Sequence, residues 1–174
     1  MKNIQLVIGD ITTLHVDAIV NAANRTLLGG GGVDGAIHRA AGRGLFEECA
    51  KLGGCATGEA KITGSHNITN VKAIIHTVGP VYGGKATDAE ALKKCYVNSL
   101  NLAKENGLHS IAFPSISTGV YGYPLKEAAE VSYKAVCGWL AANEDYPITV
   151  IFCCFHQGGY HVYQTVINEN GGNV

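Results

Sequence analysis

The sequence predicts an α/β domain in which a mostly parallel or mixed sheet is packed between helices. Apolar runs rich in β-branched residues recur along the chain, at Ile4–Ile8, Ala18–Val20, Ala73–Val78, Ile111–Phe113 and Ile148–Phe155. Several are nearly continuous, as strands covered on both faces require. Stretches with helical periodicity lie between them, which argues for strands alternating with helices. A length of 174 residues is one domain's worth, enough to bury roughly two thirds of the surface the unfolded chain exposes.

The clearest helix is expected from Asp88 to Asn106. Thr87 is placed to cap it, and Glu90 stands three residues on as a capping-box partner. Leu92, Tyr96, Ser99 and Ala103 share one face, and Gly107 supplies a left-handed stop. A second helix starts at Pro124 and runs to about Leu140, with Leu125, Ala128, Ser132, Val136 and Trp139 on its face. Others are expected from about Val33 to Ala41 and from Tyr160 to Asn168. Nothing resembles a linker, charge block, repeat or low-complexity segment, so residues 1–174 read as one domain. The tail Asn170-Gly171-Gly172-Asn173-Val174 is expected to fray.

Thirteen Lys and Arg nearly balance fourteen Asp and Glu. That balance gives no bulk attraction to nucleic acid or to an anionic membrane, so a bound anion must be held mostly by backbone N–H groups. The six cysteines include no C-x-x-C pair, and the adjacent Cys153 and Cys154 should face opposite sides of a strand. Small buried thiols in a reducing compartment are favoured over a disulfide or zinc framework. Met1-Lys2-Asn3-Ile4 lacks the features of a signal peptide, and no apolar stretch approaches the roughly 20 residues that span a bilayer. A cytoplasmic protein is expected.

Ligands of open α/β sheets bind at the carboxyl ends of the strands. Gly9-Asp10-Ile11-Thr12 follows the first strand. Asp10 there either caps a turn or accepts a hydrogen bond from an adenine amino group. The richest segment is Val20-Asn21-Ala22-Ala23-Asn24, followed by Gly29-Gly30-Gly31-Gly32-Val33-Asp34-Gly35-Ala36-Ile37-His38. Glycines before a helix leave no Cβ in a ligand's way, and successive N–H groups there form an anion-binding concavity. It is neither a Walker loop, since no Gly-Lys-Ser/Thr follows, nor a dinucleotide fingerprint in its usual place. Asp34 is out of character, because a carboxylate repels phosphate. It reads either as a helix N-terminal acid or as a group facing a ribose hydroxyl or an attacking water.

Pro114-Ser115-Ile116-Ser117-Thr118-Gly119-Val120-Tyr121-Gly122-Tyr123-Pro124 repeats the strand, small-residue loop, helix order. Its hydroxyls and N–H groups could hold a diphosphate from the other side. Tyr121 offers a ring to a sugar or base, with a core role as the alternative. Phe155 ends the last strand, where its ring could stack on a purine, whereas Phe152 reads as core. His38 and His76 read as structural histidines. No H-E-x-x-H or zinc spacing is present, nor any nucleophile elbow, and no cofactor or metal is expected.

Taken together these segments, with Gly58-Glu59-Ala60-Lys61-Ile62-Thr63 and Ile75-His76-Thr77-Val78-Gly79-Pro80, resemble the macrodomain family, specifically its MacroD-like ADP-ribosyl hydrolases. The resemblance covers nearly the whole chain in the family's order. It implies a three-layer α/β/α fold with a mixed, about six-stranded sheet, and ADP-ribose as ligand. Asp10 would accept from the adenine amino group with the Ile11 N–H nearby, and Phe155 would stack on adenine. Gly32, Val33 and the run Ser117, Thr118, Gly119, Val120 and Tyr121 would form two diphosphate loops. Asn21 joins the substrate-binding set. Asn24 would orient the distal ribose, and Asp34 would be the catalytic acid.

The class removes ADP-ribose from acidic side chains of mono-ADP-ribosylated proteins and deacetylates O-acetyl-ADP-ribose. Both substrates are esters, which need a positioned water and charge stabilisation more than a strong nucleophile. Asp34 aligning or deprotonating that water, and a substrate-assisted route through the diphosphate, both fit the sequence. One departure is Thr63-Gly64-Ser65-His66-Asn67-Ile68-Thr69, where relatives more often carry Gly-Tyr-Asn-Leu-Pro. A non-catalytic ADP-ribose reader is the main rival, and the Asn24 and Asp34 pair argues against it. A nucleic-acid module is disfavoured by the near-neutral charge.

Overall fold

A computed structural model describes residues 3–174. Six strands form one sheet: β1 (Ile4–Ile8), β2 (Ala18–Ala23), β3 (Ala60–Gly64), β4 (Ala73–Val78), β5 (Ser110–Phe113) and β6 (Thr149–Cys154). Five α-helices cover it: α1 (Gly32–Ala41), α2 (Arg43–Lys51), α3 (Ala86–Glu105), α4 (Leu125–Ala142) and α5 (Gln157–Glu169). The strand order is β1-β6-β5-β2-β4-β3. Every pairing is parallel except that of β3, which runs antiparallel to β4 at one edge. The sheet is therefore mixed and the fold three-layered, as expected.

Side-chain alternation along the strands divides the interior in two. Ile19, Ile74, Ala112, Ile151 and Cys153 pack with Ile37 of α1 and with Leu45 and Cys49 of α2. Val20, Ile75, Phe113, Val150 and Cys154 pack against Leu92 and Tyr96 of α3, Val136 and Trp139 of α4 and Tyr163 of α5. Cys153 and Cys154 do face opposite layers, and all six cysteines are free thiols. Burial pushes Cys49, Cys95 and Cys153 up to about 11 and Cys154 up to about 12, which keeps those thiols protonated and unreactive.

α3 begins two residues before the expected Asp88. The cap is neither Thr87 nor Glu90: the Asp88 carboxylate reaches back to accept the Gly83 N–H at 2.8 Å and the Lys85 N–H at 3.0 Å. Gly107 follows this helix with φ 65°, the left-handed stop expected of it. α2 is unanticipated, since Gly42 precedes it without a side-chain cap and only Leu45 and Cys49 are buried. At the C-terminus, Gly172 donates to the Ile167 carbonyl at 2.9 Å, tying down the residues just after α5.

Connections from the adjacent strands β2 and β5 leave on opposite faces, β2 into α1 and β5 into α4. In open α/β sheets a divergence of this kind is where the ligand crevice lies, which points to the carboxyl edge between these two loops.

Candidate active site

The strand order sets the order of groups along that edge. Asp10 follows β1, Phe155 follows β6, the Ser117–Tyr121 run follows β5, and Asn24 with the glycine loop follows β2. A ligand lying along the edge meets a carboxylate and an aromatic ring, then loop N–H groups, then Asp34.

At the first end, Asp10 Oδ1 caps a short 3-10 turn, Ile11–Thr13, accepting the Thr12 N–H at 2.9 Å and the Thr12 hydroxyl at 2.7 Å. Both bonds fall on one oxygen. Gly9 donates to the Cys154 carbonyl at 2.9 Å, which holds Asp10 close to Phe155. The Phe155 ring is 80 % exposed and Val120 100 % exposed, apolar surface left uncovered at the crevice.

Among the described residues, the N–H groups of Gly29 to Asp34 and of Thr118 to Tyr121 donate to no protein acceptor. These are two rows of unused donors on the loops after adjacent strands, one of them at the N-terminus of α1. The β5 loop is rigidly pinned. Thr118 Oγ1 donates to the Ser115 carbonyl at 3.0 Å and lies 2.9 Å from its hydroxyl. Ser117 adopts the left-handed φ of 68° and gives its hydroxyl hydrogen to the Pro80 carbonyl at 2.8 Å. The Tyr82 N–H binds the Tyr121 carbonyl at 2.8 Å. Pro80, the end of the Ile75–Pro80 motif, and Tyr82, which no motif includes, thus brace this loop.

Asp34 is only 4 % exposed. Its Oδ1 accepts from Asn21 Nδ2 at 2.8 Å. His38, one helical turn on, places Nε2 3.4 Å from the same oxygen without aligning for a hydrogen bond. Asp34 Oδ2 turns toward the glycine loop, because a Cβ at Gly30 would stand 3.1 Å from it and 3.4 Å from Asn24 Nδ2. Gly30 therefore separates the two expected catalytic side chains. Asn24 braces the loop: Nδ2 donates to the Gly29 carbonyl at 3.0 Å, and Oδ1 accepts from Thr26 and Leu27. Asn21, expected with the substrate-binding residues, is fully buried and turned toward Asp34 and His76. The i, i+4 spacing of Asp34 and His38 was the signal for their contact.

Burial raises the Asp34 pKa above its ordinary value, opposed by the Asn21 hydrogen bond and the charge of His38. Between the ordinary value and the raised one, the folded chain holds a proton that the unfolded chain has released. Asp34's contribution to stability therefore falls as pH rises through that window and stays lost above it. Asp34→Asn, which keeps the acceptor for Asn21, should raise the thermal midpoint at neutral pH, and the gain should shrink on acidification. A midpoint below the parent's at every pH contradicts this.

Three comparisons bear on the chain as a whole. The family model described as Macro domain matches residues 20–132, more than half of the chain. A Macro domain-containing protein of Chlorobaculum tepidum is 57 % identical over 159 residues, 91 % of each chain. The ADP-ribose glycohydrolase MACROD2 of Mus musculus is 50 % identical over 170 residues, covering 97 % of this chain but 36 % of that protein. The chain thus spans little more than a third of that relative. Among solved structures, the Oceanobacillus iheyensis macrodomain with MES bound superposes with a TM-score of 0.90 at 43 % identity, covering 95 % of this chain and 90 % of that one. The Trypanosoma brucei macrodomain in complex with ADP-ribose gives 0.88 at 45 % identity, covering 94 % and 68 %.

Proposed function

Since this chain belongs to the macrodomain family, we propose that it binds ADP-ribose along the carboxyl edge of the sheet and hydrolyses its esters. One observation carries the reading. The strand order sets a carboxylate beside an exposed aromatic ring, then two rows of unused N–H donors, then a buried carboxylate, an order that suits adenosine, diphosphate and distal ribose in turn. The ADP-ribose glycohydrolase relatives and the solved complex with ADP-ribose support it.

Adenine would stack on Phe155 and give its amino hydrogen to Asp10, with the Ile11 N–H alongside. The diphosphate would lie between the N–H groups of Gly32 and Val33 and those of Ser117, Thr118, Gly119, Val120 and Tyr121, the donor rows replacing its hydration without a lysine cluster. Asn24 would hold the distal ribose. Asp34 Oδ2 would accept a proton from the attacking water as the ester bond breaks, releasing ADP-ribose and a carboxylic acid. A site with an elevated carboxyl pKa suits a base working near neutral pH.

The substrates would be mono-ADP-ribosylated acidic side chains of proteins and O-acetyl-ADP-ribose. A cytoplasmic setting fits the free thiols, and no helix of the described residues is long and apolar enough to cross a membrane.

Incubating the chain with protein that carries labelled mono-ADP-ribose on glutamate tests the function. Free labelled ADP-ribose is expected, whereas label retained on protein that co-purifies with the chain indicates a reader. Phe155→Ala should weaken ADP-ribose binding by about 1–3 kcal/mol, the worth of one base–aromatic stack. Titration calorimetry reads this directly, and an unchanged affinity refutes the adenine assignment.

A further inference from the structure

Behind Asp34, three adjacent strands bring Asn21, His76 and Thr63 together in a largely apolar layer. Lys61, in register with His76 on the same face of β3 as Thr63, turns its ammonium away to the Leu52 carbonyl at 3.0 Å and the Gly54 carbonyl. Asn21 of β2 lies in register with His76 of β4, and Thr63 of β3 lies diagonally across from His76. All three are buried beneath α1 and α2. Their contacts form an unbroken chain: Asp34 Oδ1 to Asn21 Nδ2 at 2.8 Å, Asn21 Nδ2 to His76 Nδ1 at 3.1 Å, His76 Nε2 to Thr63 Oγ1 at 2.9 Å, and Thr63 Oγ1 to the Gly64 carbonyl at 3.0 Å.

Donor chemistry gives this chain one direction. A carboxamide nitrogen has two hydrogens and accepts nothing, so Asn21 Nδ2 donates to both Asp34 and His76. His76 Nδ1 must then be bare, with the ring proton on Nε2. Thr63 accepts that proton's hydrogen bond and passes its own hydrogen to a backbone carbonyl, which cannot donate back. Were Asn21 turned over, its Oδ1 would face the Asp34 carboxylate, and two acceptors would share no hydrogen while that group is ionised. The orientation shown leaves Asn21 Oδ1 buried without a partner.

We propose that His76, held in its Nε2–H form by Thr63, is a positioning residue that fixes the Asn21 amide and thereby the Asp34 carboxylate. Oδ1 is engaged by this relay, and Oδ2 is the oxygen that lies toward Gly30. The inference rests on Asp34 being the reacting carboxylate. Burial, aided by the charge of His38, lowers the His76 pKa to about 3, so the ring stays neutral wherever Asp34 is ionised near neutral pH. Cys49 Sγ, a protonated thiol 3.8 Å from Nε2, is a weaker acceptor for the ring N–H than the Thr63 hydroxyl at 2.9 Å.

The test uses the full chain labelled with ¹⁵N-histidine. The imidazole spectrum should show His76 with Nδ1 bare and Nε2 protonated, unchanged across about pH 6 to 8, where an ordinary histidine titrates. An Nδ1–H tautomer, or titration in that range, overturns the relay whatever the activity. Thr63→Val keeps the side-chain shape and removes the acceptor. Loss of one hydrogen bond from the chain should lower kcat on O-acetyl-ADP-ribose by about tenfold. KM and ADP-ribose affinity should hold, and Thr63→Ser should restore kcat. Parental kcat in Thr63→Val, or a loss that Thr63→Ser fails to repair, refutes the positioning role. Parental turnover in Asp34→Ala refutes instead the reading beneath it, and the imidazole spectrum separates the two failures.

Discussion

Asp34→Ala should bind ADP-ribose with parental affinity in calorimetry and lose ester cleavage by about 10²- to 10⁴-fold, the usual effect of removing a general base. The split follows from where the carboxylate sits. Binding is assigned to backbone donors on two loops, to Phe155, to Asp10 and to Asn24, and none of these makes a hydrogen bond to the Asp34 side chain. A carboxylate among phosphate-binding groups adds repulsion, so its loss cannot weaken a diphosphate contact. Asp34→Asn should behave alike in turnover while keeping the acceptor for Asn21 Nδ2. It separates loss of the base from loss of packing. Either variant hydrolysing at the parental rate leaves the substrate-assisted route, with water held by the diphosphate, as the mechanism.

Gly79→Ala should damage both stability and binding. A Cβ there would collide with the Ser117 hydroxyl and approach Ile116 Cγ2 to 2.7 Å. Neither neighbour can yield freely, because Ile116 is buried and Ser117 already holds a left-handed backbone fixed through Pro80. Overpacking of this kind costs about 1–3 kcal/mol. The Thr118–Tyr121 N–H groups would also shift away from a bound diphosphate. Weakening one or two hydrogen bonds to a charged group, each worth about 1.5–3 kcal/mol, raises Kd by at least about tenfold. Gly138→Ala is the control. It lies within α4 with nothing within 4 Å of the added Cβ, and should be neutral or mildly stabilising. Thermal unfolding and calorimetry on both variants decide the matter, and a Gly79→Ala protein with parental Kd removes the loop-bracing argument.

The two kinds of signal in the sequence were not equally readable. Runs such as Ile4–Ile8 and Ala73–Val78 coincide with β1 and β4 to the residue. β4 is buried on both faces and apolar along nearly its whole length, whereas β1, at the sheet edge and only partly buried, is marked by its β-branched and aliphatic residues. α2 escaped notice because Gly42 and Gly44 interrupt the pattern and only Leu45 and Cys49 face the core. The α3 cap departs from the expected Thr87 for a related reason. Thr87 is the better N-cap by residue type, yet Asp88 captures two backbone N–H groups from the preceding turn.

At the site, chain order and loop chemistry drew Asp10, the glycine loop, Ser117–Tyr121 and Phe155 together, since each follows a strand. What lies beneath them was not legible. Asn21 and Asn24 both stand in Val20-Asn21-Ala22-Ala23-Asn24, and strand alternation does not say which one touches Asp34. The contact goes to Asn21, while Asn24 closes its own loop. Thr63 and His76 are distant in sequence, and only the antiparallel pairing of β3 with β4 brings them together. Gly79 shows its purpose only once the β5 loop is seen resting on it.

The central claim is ester hydrolysis in a pocket built to bind ADP-ribose, and parallel assays on three substrates test it most directly. The intact chain is given glutamate-linked ADP-ribosyl protein, arginine-linked ADP-ribosyl protein and O-acetyl-ADP-ribose under identical conditions. Release of ADP-ribose from the two esters, with the arginine linkage left intact, is the predicted result. Tight binding of ADP-ribose with no release from either ester would contradict it and make this chain a reader.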